Sequence, residues 1–161
     1  MHTLYYGDFN FGKDKYVLAR SLKGLSFVGN NFSQLDDFFP NVKFIKDSGS
    51  LESYWRQINE YLLEERQEFT LKLDISGTKF QESVWEQLKK IPYGQTTSYT
   101  EIAQAIGNPK AVRAVGSAVG KNPVLIVIPC HRVINKNQQL GNYRGGLAMK
   151  RELLTLEGAI N

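Results

Sequence analysis

"SYTEIAQAIGNPKAVRAVGSAVG", residues 98–120, holds two short helical patterns with little more than Gly-Asn-Pro between them. Ser98 and Glu101 have the spacing of a capping box, and "TEIAQAIG" carries Ile102, Ala105 and Ile106 inward before stopping at Gly107. Asn108 can cap a following helix, Pro109 suits its first position, and Val112, Val115 and Val119 form its apolar stripe. Two short helices joined by a tight glycine-containing turn make a helix-turn-helix. Beside Lys110 and Arg113, the outward face of the second helix shows mostly Ala111, Ala114, Gly116, Ser117 and Ala118. Such a helix is thin, and a glycine near its middle costs about 1 kcal/mol relative to alanine, an expense usually offset by close approach of another surface. Tight packing on a neighbouring helix and entry into a nucleic acid groove, even a minor groove roughly 6 Å wide, explain that face equally well.

Upstream, Thr78 and Gln81 form a second capping-box spacing ahead of "FQESVWEQLKK", whose buried face is marked by Phe80, Val84 and Leu88, and "IPYGQ" ends that helix. Residues 1–76 have a different character and read as a small α/β domain. "YVLARSLKGLSFVG" offers two β-rich runs around Lys23-Gly24, and "NVKFIK" offers another. The stretch 51–66 has helical spacing with Ser50 as N-cap, and "FTLKLDI" alternates as a half-buried strand. Downstream of the two central helices, "RVINKNQQLGNYRGG" resembles a hairpin with its loop at residues 135–137, and "LAMKRELLTLEG" a final helix ending at Glu157. Together these give the arrangement of a winged helix over residues 77–161.

A chain of 161 residues, 42% of them hydrophobic, can bury a real core. No apolar run reaches the roughly 18 residues of a membrane span, and "MHTLYYGDFN" lacks the pattern of a signal peptide, so a cytoplasmic protein is expected. One cysteine and two histidines, His2 and His131, fall short of the usual ligand count of a structural zinc site, and no metal is expected. The basic excess lies wholly in the second part: up to residue 74 there are nine Lys/Arg against eleven Asp/Glu, and beyond it eleven against five. That asymmetry points to a polyanion partner, although a solvated basic face has the same composition.

"VLIVIPCHRVI", residues 124–134, puts the lone Cys130 behind five apolar residues that read as a buried core strand ended by Pro129. Buried free cysteine is commonly inert. Against that, a strand end emerges into clefts, and His131 and Arg132 are neighbours that favour a thiolate. On a strand, however, adjacent side chains point to opposite faces, so direct contact between His131 and the sulfur does not follow. From these residues alone both readings stand, as does a solvated role for Glu157 at its helix end.

Taken in order and spacing, "IPYGQTTSYTEIA", "GNPKAVRAVG", "GKNPVLIVIPCHR" and "GNYRGGLAMKRELLTLEG" resemble the methylated-DNA–protein-cysteine methyltransferases, also called O6-alkylguanine-DNA alkyltransferases. The likeness covers residues 78–158, and only "LDDFFP" and the helix after it carry it into the first part. It implies an α+β chain, with a small ribonuclease H-like α/β domain followed by the winged-helix-like domain. It also implies direct repair, in which the protein binds duplex DNA in the minor groove, flips out O6-methylguanine and transfers the alkyl group irreversibly to Cys130 without a cofactor. O4-methylthymine is a second substrate to consider, and a monomer is expected.

The resemblance also assigns roles. His131 acts as base through a water, Glu157 orients it, Asn122 is the hinge, and Tyr99 assists flipping and the departure of the base. Arg113 fills the gap left in the duplex, with Thr100, Lys110, Ala111 and Ser117 on the DNA side. Val133, Tyr143, Arg144 and Gly145 form pocket walls with Tyr99. Two positions depart from other members: Arg144 stands where some have serine, and Gly145 where some have tryptophan, which implies a roomier pocket. Damage binders of the alkyltransferase-like kind lack the motif cysteine, and a Cys130–His131 hydrolase gives no role to Arg113.

Overall fold

The computed structural model describes residues 3–161, so His2, counted above among the metal-ligating side chains, lies outside the described residues. The chain divides into two compact units, Met1–Ile75 and Ser76–Asn161.

The first unit is built on β1 (Thr3–Phe11), β2 (Asp14–Arg20) and β3 (Leu25–Gly29), an antiparallel meander. Helix α1 (Phe32–Phe38) then leads to β4 (Lys43–Lys46), which lies parallel to β1. The order β3-β2-β1-β4 with a parallel fourth strand is the ribonuclease H-like arrangement the resemblance implied. Leu4, Val17, Ala19, Phe27 and Leu35 form its core, and Phe38 and Phe39 meet Phe27 edge-on. Gly7 is required in β1 because a Cβ there would stand 2.6 Å from Ser48 Oγ.

Three expectations for this unit need correction. The helix after β4 starts differently: Asp47 caps a short 3-10 turn, Ser48–Leu51, by accepting from the Ser50 amide, and Ser50 is not itself the cap. Helix α2 (Glu52–Leu62) ends four residues early, at a left-handed Glu64, where consecutive carboxylates oppose the negative end of the helix dipole. "FTLKLDI" is extended but makes one isolated bridge, Leu25 to Leu73, rather than a full strand. Strand β1 and helix α1 were not foreseen; the strand mixes buried and half-buried positions without clean alternation.

In the second unit, α3 (Lys79–Lys89) opens on the expected capping box, with Thr78 accepting from Gln81 N and the Gln81 side chain returning to Thr78 N. Trp85 is more buried than Phe80, and its Nε1 donates to Ala118 O at 2.9 Å. After β5 (Thr97–Ser98), α4 (Tyr99–Ala105) is capped by Ser98, but Glu101 turns to Thr97 Oγ1 and leaves the box half-made. Ala103 is buried in place of Ala105. Asn108 and Pro109 form a turn, so α5 (Val112–Gly120) starts three residues later than expected and Lys110 and Ala111 precede it. The helix-turn-helix survives these shifts. Ala118, expected outward, faces the core with Val115 and Val119.

The run before Cys130 is buried as expected but is not a strand. Ile126 takes a φ of 73°, Val127 N donates to Leu125 O and Ile128 N to Val124 O, so the segment runs as coiled turns after a single bridge residue at Val124. Beyond it, β6 (Val133–Ile134) pairs in parallel with β5. The expected hairpin reduces to a turn closed by Asn135 N to Gln139 O; Gly141 is left-handed and Asn142 O accepts from Lys150, so no return strand forms among the described residues. Helix α6 (Leu147–Leu156) is capped by Glu157. No helix of the described residues is long and apolar enough to cross a membrane.

Candidate active site

Cys130, His131 and Arg132 occupy one 3-10 turn, not the end of a strand. Such a turn advances roughly 120° per residue, so its three side chains leave in three directions. Cys130 is 5% exposed, and that small exposure opens onto a cavity of about 600 Å³ in the second unit. The wall opposite is α5, contributing Val112, Arg113 and Gly116; Tyr99 stands at the start of α4, and Tyr143 and Arg144 come from the segment before α6.

Burial raises the Cys130 thiol above its ordinary range, and four groups pull it back: a hydrogen bond from Asn122, the charges of Arg144 and Lys150, and a backbone hydrogen bond. Asn122 is itself buried and fixed, its Nδ2 donating to Ile128 O at 2.8 Å and its Oδ1 accepting from Val124 N at 3.0 Å. It therefore spans the coiled segment leading to the cysteine.

His131 is fully buried, and its Nε2 lies 2.7 Å from Glu157 Oε2. Burial lowers its pKa, more than the neighbouring carboxylate raises it, so the imidazole is neutral at neutral pH. Glu157 also accepts from Arg132 Nε at 2.8 Å, Arg132 Nη2 at 2.9 Å and Gly94 N at 3.2 Å. A carboxylate so supplied with donors is held ionised and can only accept, so His131 donates through Nε2 and carries its basic lone pair on Nδ1. The pair is a base of fixed tautomer.

Arg132, which the sequence offered only as a cation beside the cysteine, instead holds this carboxylate and also donates to Ile91 O at 2.7 Å. Lys150 was not anticipated. It is fully buried, donates to Val133 O at 2.7 Å and Asn142 O at 3.2 Å, and burial lowers its pKa to about 8. No periodicity distinguishes a buried lysine from a surface one; its only sequence signal was a cation on the apolar side of α6. Tyr99 has a raised pKa through burial and the nearby cysteine, and its hydroxyl would stand 3.2 Å from a Cβ at Gly141.

The other anticipated residues fall into two groups. Arg113 and Ser117 are exposed on α5, Lys110 is exposed in the preceding turn, and Thr100 and Ala111 are half-buried. Val133 is wholly buried and, like Gly145, stands outside the cavity lining. Gly145 does not enlarge the pocket: the space a side chain would take is already occupied by Met149, Tyr143 and Leu125. Gly116 has a different setting, since a Cβ there would meet only the Tyr99 ring, at 3.8 Å, so packing within the unit does not demand glycine.

Residues 79–159 match the family described as 6-O-methylguanine DNA methyltransferase, DNA binding domain. The inducible methylated-DNA–protein-cysteine methyltransferase of Bacillus subtilis (strain 168) is 46% identical over 162 residues, spanning 96% of this chain and 90% of its own. That of Methanosarcina acetivorans is 42% identical, spanning 97% and 99%. Among solved structures, the Mycobacterium tuberculosis O6-methylguanine methyltransferase superposes with a TM-score of 0.85 at 38% identity, covering 97% of this chain and 93% of that one. The Mycobacterium tuberculosis OGT in complex with DNA gives 0.79 at 37% identity, covering 96% and 93%.

Proposed function

Because the chain belongs to the methylated-DNA–protein-cysteine methyltransferase family, we propose that Cys130 is the acceptor in its direct-reversal repair of alkylated DNA. The observation that carries the assignment is the turn Cys130–Arg132, which gives the only cysteine of the chain a face on the cavity while His131 and Arg132 meet Glu157 behind it.

O6-methylguanine, rotated out of the duplex, enters the cavity between Tyr99 and Arg144. His131 Nδ1 takes the thiol proton through a bridging water, leaving a thiolate favoured by Asn122, Arg144 and Lys150. The sulfur attacks the methyl carbon, a C–S bond forms, the C–O6 bond breaks, and the electron pair passes to the guanine; the proton taken up by His131 returns through water to the base, which leaves neutral with the Tyr99 hydroxyl hydrogen-bonded to it. The thioether is stable, so each molecule reacts once. O4-methylthymine presents the same alkyl-oxygen chemistry.

DNA is met through α5 in the minor groove. The slim exposed face of Ala114, Ser117 and the unforced Gly116 supports this, with Arg113 at the mouth of the cavity positioned to enter the stack where the nucleotide leaves. Lys110, Ala111 and Thr100 flank the phosphates, and the protein acts as a monomer in the cytoplasm.

Incubation with an O6-methylguanine duplex adds one methyl group to the peptide containing Cys130, at no more than one per protein, as read by mass spectrometry. Multiple turnovers, or methyl at another residue, overturn the assignment.

A further inference from the structure

The cavity beside Cys130 is cationic. Arg113 and Arg144 line it, and no acidic side chain does among the described residues. Arg144 is the inner of the two. Its Nη2 donates to Asn122 O at 2.9 Å and Pro123 O at 3.2 Å, main-chain carbonyls that fix the guanidinium without neutralising its charge. Burial lowers its pKa to about 10, and the Cys130 sulfur and the Tyr143 phenol act the other way. The guanidinium is thus tied to the segment that leads to the nucleophile and lies within electrostatic reach of the atom that receives the alkyl group. In methyl transfer its charge favours the thiolate, and a charged adduct gives it a second partner.

We propose that Arg144 is a specificity-determining residue that adapts the pocket to O6-adducts carrying an anionic substituent, of which O6-carboxymethylguanine is the simplest. The inference rests on the alkyl-transfer reading of Cys130. Without a cation, a carboxylate one carbon from the reacting centre is repelled by the incoming thiolate. The positive charge of Arg144 on the cavity wall offsets that repulsion. The reaction balances as for methyl: the sulfur bonds the methylene carbon, the C–O6 bond breaks, its electron pair and one proton go to guanine, and Cys130 ends as S-carboxymethylcysteine.

The test compares single-turnover transfer from duplexes carrying O6-carboxymethylguanine and the neutral, similarly sized O6-carbamoylmethylguanine, with O6-methylguanine as reference. The carboxymethyl-to-carbamoylmethyl rate ratio is expected to fall about tenfold or more in Arg144→Gln, the scale of one charge-assisted hydrogen bond, and to stay within about threefold of wild type in Arg144→Lys. An unchanged ratio in Arg144→Gln overturns the proposal and leaves Arg144 as a tie for the two carbonyls. Should Arg144→Gln fail to fold, Arg144→Lys decides, and a fall in its ratio beyond threefold overturns the charge assignment. Absence of methyl transfer by the wild type is a separate failure, of the Cys130 reading itself.

Discussion

Arg132 grips Glu157 with two parallel hydrogen bonds, Nε to Oε1 at 2.8 Å and Nη2 to Oε2 at 2.9 Å, and the second oxygen is the one that His131 meets. Base strength and core integrity therefore share one carboxylate. Replacing Arg132 by leucine leaves a buried anion without its fork, which should cost about 3–5 kcal/mol in urea unfolding. Glu157 is then easier to protonate, so transfer by the surviving folded protein should fail at a higher pH than in the wild type. A variant as stable as the wild type, with an unshifted pH profile, would show that the fork is dispensable.

The lowered pKa of His131 fixes the sign of two pH effects. Transfer should hold as pH falls through the usual histidine range near 6.5 and decline only below it, where Nδ1 becomes protonated. Stability follows the same direction. Between the lowered folded value and 6.5 the unfolded chain binds more protons at this residue, so this part of the stability is complete above 6.5 and is lost as pH falls through the folded pKa. Denaturant midpoints of wild type and His131→Gln across this range, together with wild-type transfer rates, check both.

Gly116→Ala should separate folding from DNA binding. The added Cβ meets Tyr99 at an ordinary 3.8 Å and removes a mid-helix glycine, so thermal stability should rise by up to about 1 kcal/mol. If α5 enters a groove at this point, duplex affinity should drop severalfold. A variant that is more stable and binds duplex normally would count against that contact.

Arg113→Ala should slow transfer from duplex far more than transfer from free O6-methylguanine, since its side chain lies at the mouth of the cavity and takes no part in the His131–Glu157 pair. Equal losses would make Arg113 structural. Duplex affinity of Cys130→Ala should also fall as salt rises, as phosphate contacts release counterions.

The helices were legible because their signals are local. Thr78 with Gln81, Ser98 and the Gly107 stop are each decided within a few residues, and the structure keeps all three. The apolar run Val124–Ile128 shows the opposite case. Hydrophobicity announced burial but not conformation, because a short apolar segment is equally buried as a strand or as coiled turns; the left-handed Ile126 leaves no trace in composition. Strand β1 was hidden for a related reason, since its burial pattern depends on a parallel partner more than thirty residues away.

At the site, Cys130, His131, Glu157, Asn122 and Tyr99 were named from a resemblance, and the geometry supplies what the motif could not. The objection that adjacent side chains on a strand diverge disappears because there is no strand. Arg132 was noticed only as a cation beside the cysteine, and Lys150 not at all, because their work depends on partners distant in sequence, Glu157 for one and the carbonyls of Val133 and Asn142 for the other.

Lys150 grasps the pocket wall from behind, and it does so through main-chain oxygens. A clasp of that kind is blind to the side chains it holds. Val133 and Asn142 are therefore held whatever their side chains, while Gly141 keeps its left-handed turn and Arg144 adds its own tie to the carbonyls of Asn122 and Pro123. At Asn142, whose side chain is exposed, the wall can change its chemistry without loosening the clasp.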